Sequence, residues 1–222
     1  MVLDFANGFP NPSQFATGET RFIVLRDQSS SMEWVPQFPY VWNRQVTSLA
    51  TLLPSVRITL YSVNCDIQKV TDDIALRELP LIEPKDWRYG EHGMLRGGSR
   101  LGDAIVRGCQ KAKQFRRRGA RGPLGVFLLT DGWAKGDTVS PEVTRQWLEH
   151  ARNDLDVQFR VFGFIRSGLG PKMDAFLSSV GIRSEENQVI HYADTDCIDK
   201  SMQTSLERLA DEVFITARSD NR

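Results

Sequence analysis

The chain has 222 residues, of which 41% are apolar, and its 28 basic side chains balance its 28 acidic ones. This length and composition suit one globular domain with its own core, and the zero net charge leaves no overall field to attract nucleic acid or an anionic membrane. The three cysteines (Cys65, Cys109 and Cys197) are far apart and form no Cys-x-x-Cys pair, which argues against disulfides and thiolate zinc sites. The start of the chain lacks a signal-peptide pattern, and no apolar run approaches the roughly 20 residues that cross a bilayer. We therefore expect a cytoplasmic protein that binds neither nucleic acid nor membrane.

Residues 1–19 are rich in Gly, Pro, Asn and Ser and form a lead-in arm, either a disordered tail or a short docking extension. The first strong signal is the apolar run Phe22–Leu25, which predicts a buried strand. Asp27 follows at the end of this strand, with Ser29 and Ser31 at alternate positions. Their three oxygens form a partial shell for a hard cation such as Mg²⁺. The alternative is that they cap the next helix, as Asp and Ser often do.

The next segments alternate between helix and strand patterns. Prolines interrupt residues 33–39, so the first helix is expected only from residue 41 to residue 53. Residues 56–63 alternate as a strand does, and residues 66–70 predict a short partner strand after a tight turn. Residues 72–96 form a poorly periodic connection. It ends in the loop Gly97-Gly98-Ser99, which delivers a hydroxyl to the start of a helix over residues 101–115.

The second half repeats this alternation. A buried strand over residues 124–130 runs into Asp131, and further elements follow: helix 142–155, strand 157–165, helix 171–180, strand 188–192 and a terminal helix 196–217. The basic run at residues 116–118 is interpreted as favourable charge at a helix C-terminus. Strands alternating with helices predict an α/β fold, in which ligands bind beyond the carboxyl ends of the strands. Asp27, Ser99 and Asp131 all fall at that edge.

Three motifs in this order carry a family resemblance. Asp-x-Ser-x-Ser begins at Asp27, Gly-Gly-Ser ends at Ser99, and Thr-Asp-Gly surrounds Asp131. Together they resemble the metal-ion-dependent adhesion site of von Willebrand factor A (vWA) domains, over residues 20–217, with residues 218–222 as a tail. The resemblance implies a Rossmann-like fold with a mostly parallel central sheet, one antiparallel edge strand over residues 66–70, and helices on both faces. It also implies one divalent cation, Mg²⁺ or else Mn²⁺ or Ca²⁺. Its ligands would be Asp27, Ser29, Ser31, Ser99 and Asp131.

The family's function implies what such a site does here. A cation that keeps exchangeable water can take up an acidic side chain of a partner protein, so the chain is expected to be an interaction module and not an enzyme. The expected partner-binding rim comprises Trp34, Arg100 and Trp133, and Trp147 is a further candidate. The alternative, which the sequence favours slightly for the tryptophans, is packing beneath loops. The chain resembles the solitary cytoplasmic vWA domains that are associated with tellurite-resistance and stress-response operons.

Two alternatives and one departure stay open at this point. A metal-dependent phosphohydrolase is disfavoured because position 29 is serine where a second aspartate is usual, and because nucleophile-elbow and Walker loops are missing. A metal-free interaction scaffold is the other alternative. Arg26 replaces the usual apolar residue before Asp27, and we expect it either to lean out over the sheet edge or to pair with a carboxylate. A guanidinium close to the ion would lower metal affinity.

Overall fold

The computed structural model describes residues 19–34, 37–83, 98–132, 134–166 and 170–192, together with Asp211. Residues 1–18 of the predicted arm, Gly97, Trp133, nearly all of the predicted terminal helix and the tail lie outside these residues. The described elements are β1 (Arg21–Asp27), α1 (Phe38–Leu52), β2 (Arg57–Val63), β3 (Ile67–Ala75), α2 (Leu101–Arg117), β4 (Leu124–Thr130), α3 (Pro141–Leu155), β5 (Val157–Arg166), α4 (Gly170–Ser179) and β6 (Asn187–Tyr192). Short 3₁₀ turns cover Ser30–Trp34, Leu76–Glu78 and Ser184–Glu186.

The strands form one six-stranded sheet in the order β3-β2-β1-β4-β5-β6. All neighbours are parallel except β2 and β3, which are antiparallel. This confirms the predicted mostly parallel sheet with one antiparallel edge strand. β1 and β4 are central neighbours, so their carboxyl ends lie side by side at the same edge of the sheet.

The edge strand is longer than predicted. β3 runs from Ile67 to Ala75, so the predicted strand end at Val70 was wrong. The predicted irregular connection from residue 72 was also wrong as far as Ala75, because these residues belong to the strand. Its pairing with β2 shifts register between Ile58 and Tyr61, and Asp73 has a left-handed φ of 53°. These irregularities break the strict alternation on which strand prediction depends.

The two faces of the sheet bury separate apolar clusters. On β1, Phe22 and Val24 pack with the side chains of α1, whereas Ile23 and Leu25 pack with those of α2. α3 and α4 contribute to the second cluster through Leu148 and Met173. The prediction of helices on both faces is therefore confirmed.

The first helix begins earlier than expected. α1 starts at Phe38 and has Pro39 in its first turn. Proline is tolerated there because the first N–H groups of a helix have no intrahelical acceptor. Pro39 was therefore part of a helix start, and the expected start at residue 41 was wrong. Within the described residues, no helix has the length and apolar character to span a bilayer.

Candidate metal site at the carboxyl edge of the sheet

Asp27 is the centre of a buried polar cluster. Strand alternation turns its side chain to the α2 face, and the residue is 0% exposed. Its Oδ1 accepts hydrogen bonds from the Ser29 amide at 2.9 Å and from the Ser99 hydroxyl at 2.7 Å. Its Oδ2 accepts one from the Thr130 hydroxyl at 2.6 Å. The Asp27 carboxylate thus joins three segments that are far apart in sequence.

The Asp27 carboxylate is held by neutral donors. Among the described residues it forms no ion pair with a basic side chain. Burial raises the pKa of Asp27, and the hydrogen bonds from Thr130, Ser29 and Ser99 offset part of that rise. A buried carboxylate with no counter-ion is costly to keep ionised. A bound cation would remove that cost.

The two predicted serines extend the cluster towards solvent. The hydroxyl oxygens of Ser29 and Ser31 lie 2.8 Å apart. The Met32 amide donates to the Ser29 carbonyl at 3.0 Å, which tightens the chain into the 3₁₀ turn that follows β1. Ser29 is buried and Ser31 is partly exposed, whereas Ser30 between them is exposed. Alternate positions therefore lie in the cluster, as the Asp-x-Ser-x-Ser spacing predicted.

Asp131 follows directly after β4 and is 1% exposed. The next residue, Gly132, has a φ of +81°, a conformation that side-chain-bearing residues rarely adopt. Its amide donates to the Thr130 hydroxyl at 2.9 Å, and the Met173 side chain occupies the space that a Cβ would need. This turn ends β4 abruptly and keeps Asp131 beside the end of β1.

Thr130 is the residue of the cluster that the sequence motifs did not single out. It belongs to the Thr-Asp-Gly motif, but only the neighbouring aspartate was assigned a role. Its Oγ1 both donates to Asp27 and accepts from Gly132. Strand parity was the available signal, because Thr130 lies on the same face of the sheet as Leu128 and Val126, and therefore as Asp27.

The Ser99 loop is held against the segment that follows β4. Ser99 forms an isolated parallel bridge with Ala134, and the Lys135 amide donates to the Ser99 carbonyl at 2.8 Å. A Cβ on Gly98 would approach the Lys135 carbonyl oxygen to 2.8 Å, so the second glycine of the loop allows this close contact. Two of the predicted ligand segments are thereby fixed to each other.

A polar clamp continues this contact along the start of α2. We use "the clamp" for Arg100, Asp103, Asp137 and Thr138. Asp103 accepts from the Thr138 amide and hydroxyl at 2.7 and 2.6 Å and from Arg100 at 3.1 Å. The Asp137 carboxylate accepts from the Asp103 amide at 3.2 Å, at the N-terminus of α2.

The two carboxyls of the clamp differ in their pKa. Burial raises the pKa of both, but in Asp103 the bonds from Thr138 and Arg100 outweigh it and the net direction is down. In Asp137 burial prevails, and the nearby Asp103 charge adds to the rise. In the sequence, Asp103 and Asp137 are notable only because they lie close to the predicted ligands Ser99 and Asp131.

Arg100 is a member of the clamp. Besides its ion pair with Asp103, its guanidinium donates to the Thr138 hydroxyl at 2.8 Å, and its side chain is 25% exposed. Of the other expected rim residues, Trp34 ends the 3₁₀ turn after β1 and its side chain is not described, and Trp133 lies outside the described residues. The rim therefore stays a prediction. Trp147 is elsewhere, because its ring lies on α3 with the Lys113 ammonium 5.4 Å from its centroid.

Arg26 does not extend over the sheet edge as one expectation had it. Strand alternation turns its side chain to the α1 face, opposite to Asp27, where it is 2% exposed. Its guanidinium carbon lies 5.6 Å from the centre of the Trp42 ring. Among the described residues Arg26 forms no ion pair, and burial lowers the pKa of its guanidinium to about 9.

The donor set fits a hard cation. Its predicted members offer only carboxylate and hydroxyl oxygens, the ligands that Mg²⁺, Mn²⁺ and Ca²⁺ prefer. Nowhere in the described ranges do three His, Cys, Asp or Glu side chains group as metal ligands, so a carboxylate-rich or a soft-metal centre is not formed there. The predicted set combines the carboxylates of Asp27 and Asp131 with three neutral hydroxyls.

Comparison with known proteins yields similarity in structure alone. No family model and no curated protein matches the sequence. The vWF domain of the type V pili tip protein Mfa5 from Porphyromonas gingivalis matches 90% of this chain and 96% of its own, with a TM-score of 0.60 and 9% identity.

Two further solved structures match 90% of this chain. The pilus adhesin SpaC from Lactobacillus rhamnosus GG has a TM-score of 0.59 at 13% identity, and the PilB minor pilin from Streptococcus sanguinis has a TM-score of 0.57 at 11% identity. The match spans 30% of the SpaC chain and 64% of the PilB chain. At identities this low, structural similarity establishes the fold alone, and that fold is the one of vWA domains.

Proposed function

We propose that this chain, which has the vWA fold, is a divalent-cation-dependent protein-interaction module. Asp27, Ser29, Ser31, Ser99 and Asp131 would hold Mg²⁺, or Mn²⁺ or Ca²⁺ in its place. The partner would be a protein that presents an acidic side chain. The rim of Trp34, Arg100 and Trp133 belongs to the same proposal, as Trp and Arg are frequent binding hot spots.

One observation carries this proposal: the fully buried Asp27 carboxylate has hydroxyl and amide donors around it but no described counter-ion. A purely structural aspartate at a strand end would be expected to cap a helix or to pair with a base. Asp27 instead accepts hydrogen bonds from the Ser99 hydroxyl before α2, from the Thr130 hydroxyl at the end of β4 and from the Ser29 amide after β1. These are the segments that the family motif assigns to the cation.

The residues around the ion would keep it reactive towards a partner. Three neutral hydroxyls and two carboxylates leave a hard divalent ion short of ligands, so a bound ion supplies an electrophilic position for a carboxylate oxygen. Ser31 is partly exposed and lies next to exposed Ser30, which marks the side of the cluster that solvent and a partner can reach. The clamp would hold Ser99 in place, and its member Arg100 also belongs to the proposed rim.

The biological setting is proposed on weaker grounds. The cysteine pattern favours a cytoplasmic protein, and the resemblance implies a stress-response or signalling complex. The three structural neighbours named above are pilus proteins, and one is named an adhesin. They support a binding role but not this location. Binding is also preferred to catalysis, because the Asp27 carboxylate is fully buried and both of its oxygens already accept hydrogen bonds.

Metal titration by calorimetry tests the proposal. Mg²⁺ and Mn²⁺ should bind the wild-type chain with a stoichiometry of one, and Asp27→Asn should abolish measurable binding. Ser31→Ala should weaken binding by roughly tenfold, because one hydroxyl ligand is lost. Ser30→Ala is the matched control and should bind like wild type, because that side chain is exposed between the two ligand positions. Equal heats from wild type and Asp27→Asn would contradict the metal assignment.

Capture of partners separates the interaction module from its alternatives. A lysate passed over immobilised wild-type protein with Mg²⁺ should yield partners that chelator releases and that Asp27→Asn does not retain. Partners that bind equally with and without chelator would favour the metal-free scaffold. Metal-dependent hydrolysis of an aryl phosphate that Asp27→Asn abolishes would instead favour the phosphohydrolase.

A further inference from the structure

A second polar surface lies on the outer side of α2, apart from the Asp27 cluster. It is a cavity of about 670 Å³ between α2, the β2–β3 edge of the sheet and α3. Six basic side chains line it, and we call it the basic groove: Lys69, Arg107, Lys111, Lys113, Arg117 and Arg118. One carboxylate, Asp72, lines it as well. This concentration of positive charge is unexpected in a chain of zero net charge.

The single carboxylate does not neutralise the groove. Asp72 forms ion pairs with Lys69 at 2.7 Å and with Lys111 at 2.5 Å, and Lys111 is 6% exposed. These two lysines therefore already share the only acidic group of the wall. Across the part of the chain that the structure describes, the other four basic side chains of the groove form no ion pair. Four cations that face one cavity without acidic partners repel each other unless an anion lies between them.

The spacing of the cations follows the turns of α2. Arg107 and Lys111 lie one turn apart on the same side of α2, and Arg118 directly follows the last residue of the helix. The distance from the first to the last is about 16 Å along the axis, at 1.5 Å per residue. The groove thus presents a line of positive charge and not a single anion pocket.

One aromatic ring borders the line of charge. Trp147 lines the groove from α3, whereas Tyr61 on β2 lies beneath the groove and is 4% exposed. Trp147 is partly exposed, and the Lys113 ammonium lies 5.4 Å from its ring centre. The amides of Gln110 and Gln114 lie between the basic positions. Charge, stacking surface and hydrogen-bonding groups are therefore combined in one groove.

We infer that the basic groove binds single-stranded nucleic acid. A line of Lys and Arg matches a phosphodiester backbone, arginine binds phosphate oxygens with two parallel hydrogen bonds, and an accessible ring such as that of Trp147 stacks on a base without regard to sequence. An acidic peptide would use the charge but would leave the Trp147 ring without a matching partner group. The inference does not depend on the metal site, because the groove begins a turn beyond the clamp on α2 and shares no residue with the predicted ligands.

The groove also explains why the sequence argued against nucleic acid. The run at residues 116–118 has no interleaved aromatic residues, and the acidic and basic residues of the whole chain are equal in number. Folding adds Lys69 from β3 and places the partly exposed Trp147 ring beside the basic residues of α2. Arg116 does not line the groove. Its guanidinium instead donates to the carbonyls of Leu155, Ala120 and Gly122 at 2.9, 3.1 and 2.8 Å.

Fluorescence anisotropy with a labelled 20-mer of deoxythymidine tests the inference. Wild-type protein in low salt should bind the oligonucleotide, with log affinity falling against log salt at a slope of about −3 for four neutralised phosphates. Arg107→Glu/Arg117→Glu should weaken binding by at least about a hundredfold, since each reversal replaces attraction with repulsion. Arg44→Glu/Arg77→Glu is the matched control. It reverses two exposed arginines outside the groove and should bind like wild type.

Two competitors identify the ligand class. An abasic strand with the same number of phosphates should bind about fivefold to tenfold more weakly than the oligonucleotide, because it has no bases to stack on the Trp147 ring. Poly-glutamate should compete no better than the abasic strand. Equal competition by poly-glutamate would overturn the inference in favour of an acidic protein. Equal effects of the two double variants, or no binding by wild type, would overturn it altogether. Circular dichroism of both variants checks that they are folded.

Discussion

At the scale of single residues, the structure is organised by the bonds of the Asp27 carboxylate. The Asp-x-Ser-x-Ser spacing predicted that Ser29 and Ser31 would lie with Asp27, because a turn after a strand brings alternate residues together. Thr130 could not be predicted in the same way, since its contact with Asp27 depends on which strand lies beside β1. Arg26 likewise needed strand parity and the position of α1 before its side chain could be placed.

Replacement of Thr130 by valine tests the part of this network that the motifs did not show. The variant keeps the shape of the side chain but removes the hydroxyl that donates to Asp27 and accepts from Gly132. We expect a loss of about 1–3 kcal/mol in the free energy of unfolding, because two buried polar groups lose a partner. Urea unfolding followed by fluorescence measures this loss.

The control for that variant is Thr47→Val on α1. The Thr47 hydroxyl donates only to the Asn43 carbonyl one turn earlier, on an exposed part of the helix. Its loss should change stability by less than about 0.5 kcal/mol. If both valine variants unfold at the same urea concentration, the buried hydroxyl of Thr130 does not support Asp27 as described.

At the scale of elements, loop contacts and not helix propensity fix the predicted ligand segments. The apolar runs were enough to predict β1, β4 and the helix after Ser99. They did not predict the clamp, because Asp103 and Thr138 are 35 residues apart and meet only through the bridge of Ser99 to Ala134. For a similar reason β3 was predicted too short, since its irregular pairing with β2 is a property of two strands and not of one.

Replacement of Thr138 by valine should loosen this clamp. The hydroxyl that donates to Asp103 and accepts from Arg100 is removed, while the Thr138 amide is kept. We expect faster amide hydrogen exchange in residues 98–104 and 134–138, because local opening of the two loops becomes less costly. Mg²⁺ affinity should fall by severalfold, since Ser99 is then held less firmly.

Exchange measured by mass spectrometry has an internal reference in this variant. The α1 segment lies on the opposite face of the sheet and should exchange as in wild type. Thr51→Val, on the exposed side of α1, is the external control and should leave both loops unchanged. Unchanged exchange around Ser99 in Thr138→Val would show that the clamp does not position this loop.

At the scale of the whole molecule, the pattern of alternating strands and helices was sufficient to predict a mostly parallel sheet, and the family resemblance added its antiparallel edge strand. The order of strands then explains why three distant motifs meet at one edge. The distribution of charge was not predictable from composition, because equal totals of acidic and basic residues conceal the basic groove. The packing of α2 against the sheet has a further consequence, since it buries the Cys109 thiol completely.

The stability of the molecule should therefore depend on Cys109 at high pH. Burial raises the pKa of this thiol from about 9 to about 12. Between these values the unfolded chain loses the proton and the folded chain keeps it, so the free energy of unfolding falls as pH rises. From pH 8 to pH 10.5 the fall attributable to Cys109 should be about 2 kcal/mol.

The variant Cys109→Ala isolates this contribution. Its baseline stability differs, but its decline between the two pH values should be smaller than that of wild type by the stated amount. All other groups titrate in both proteins, so they cancel in the comparison of slopes. Urea titrations at each pH supply the free energies. Parallel declines in the two proteins would contradict the burial of this thiol.

The central claim is that one divalent cation is held among the side chains of Asp27, Ser29, Ser31, Ser99 and Asp131. Crystals of the protein grown or soaked with Mn²⁺ test it most directly, through the anomalous scattering of the metal. We predict one anomalous peak within about 2–2.6 Å of the hydroxyl oxygens of this cluster, the range of oxygen ligands to hard cations. An anomalous map with no peak there, or with its peaks only at other surfaces of the protein, would contradict the account.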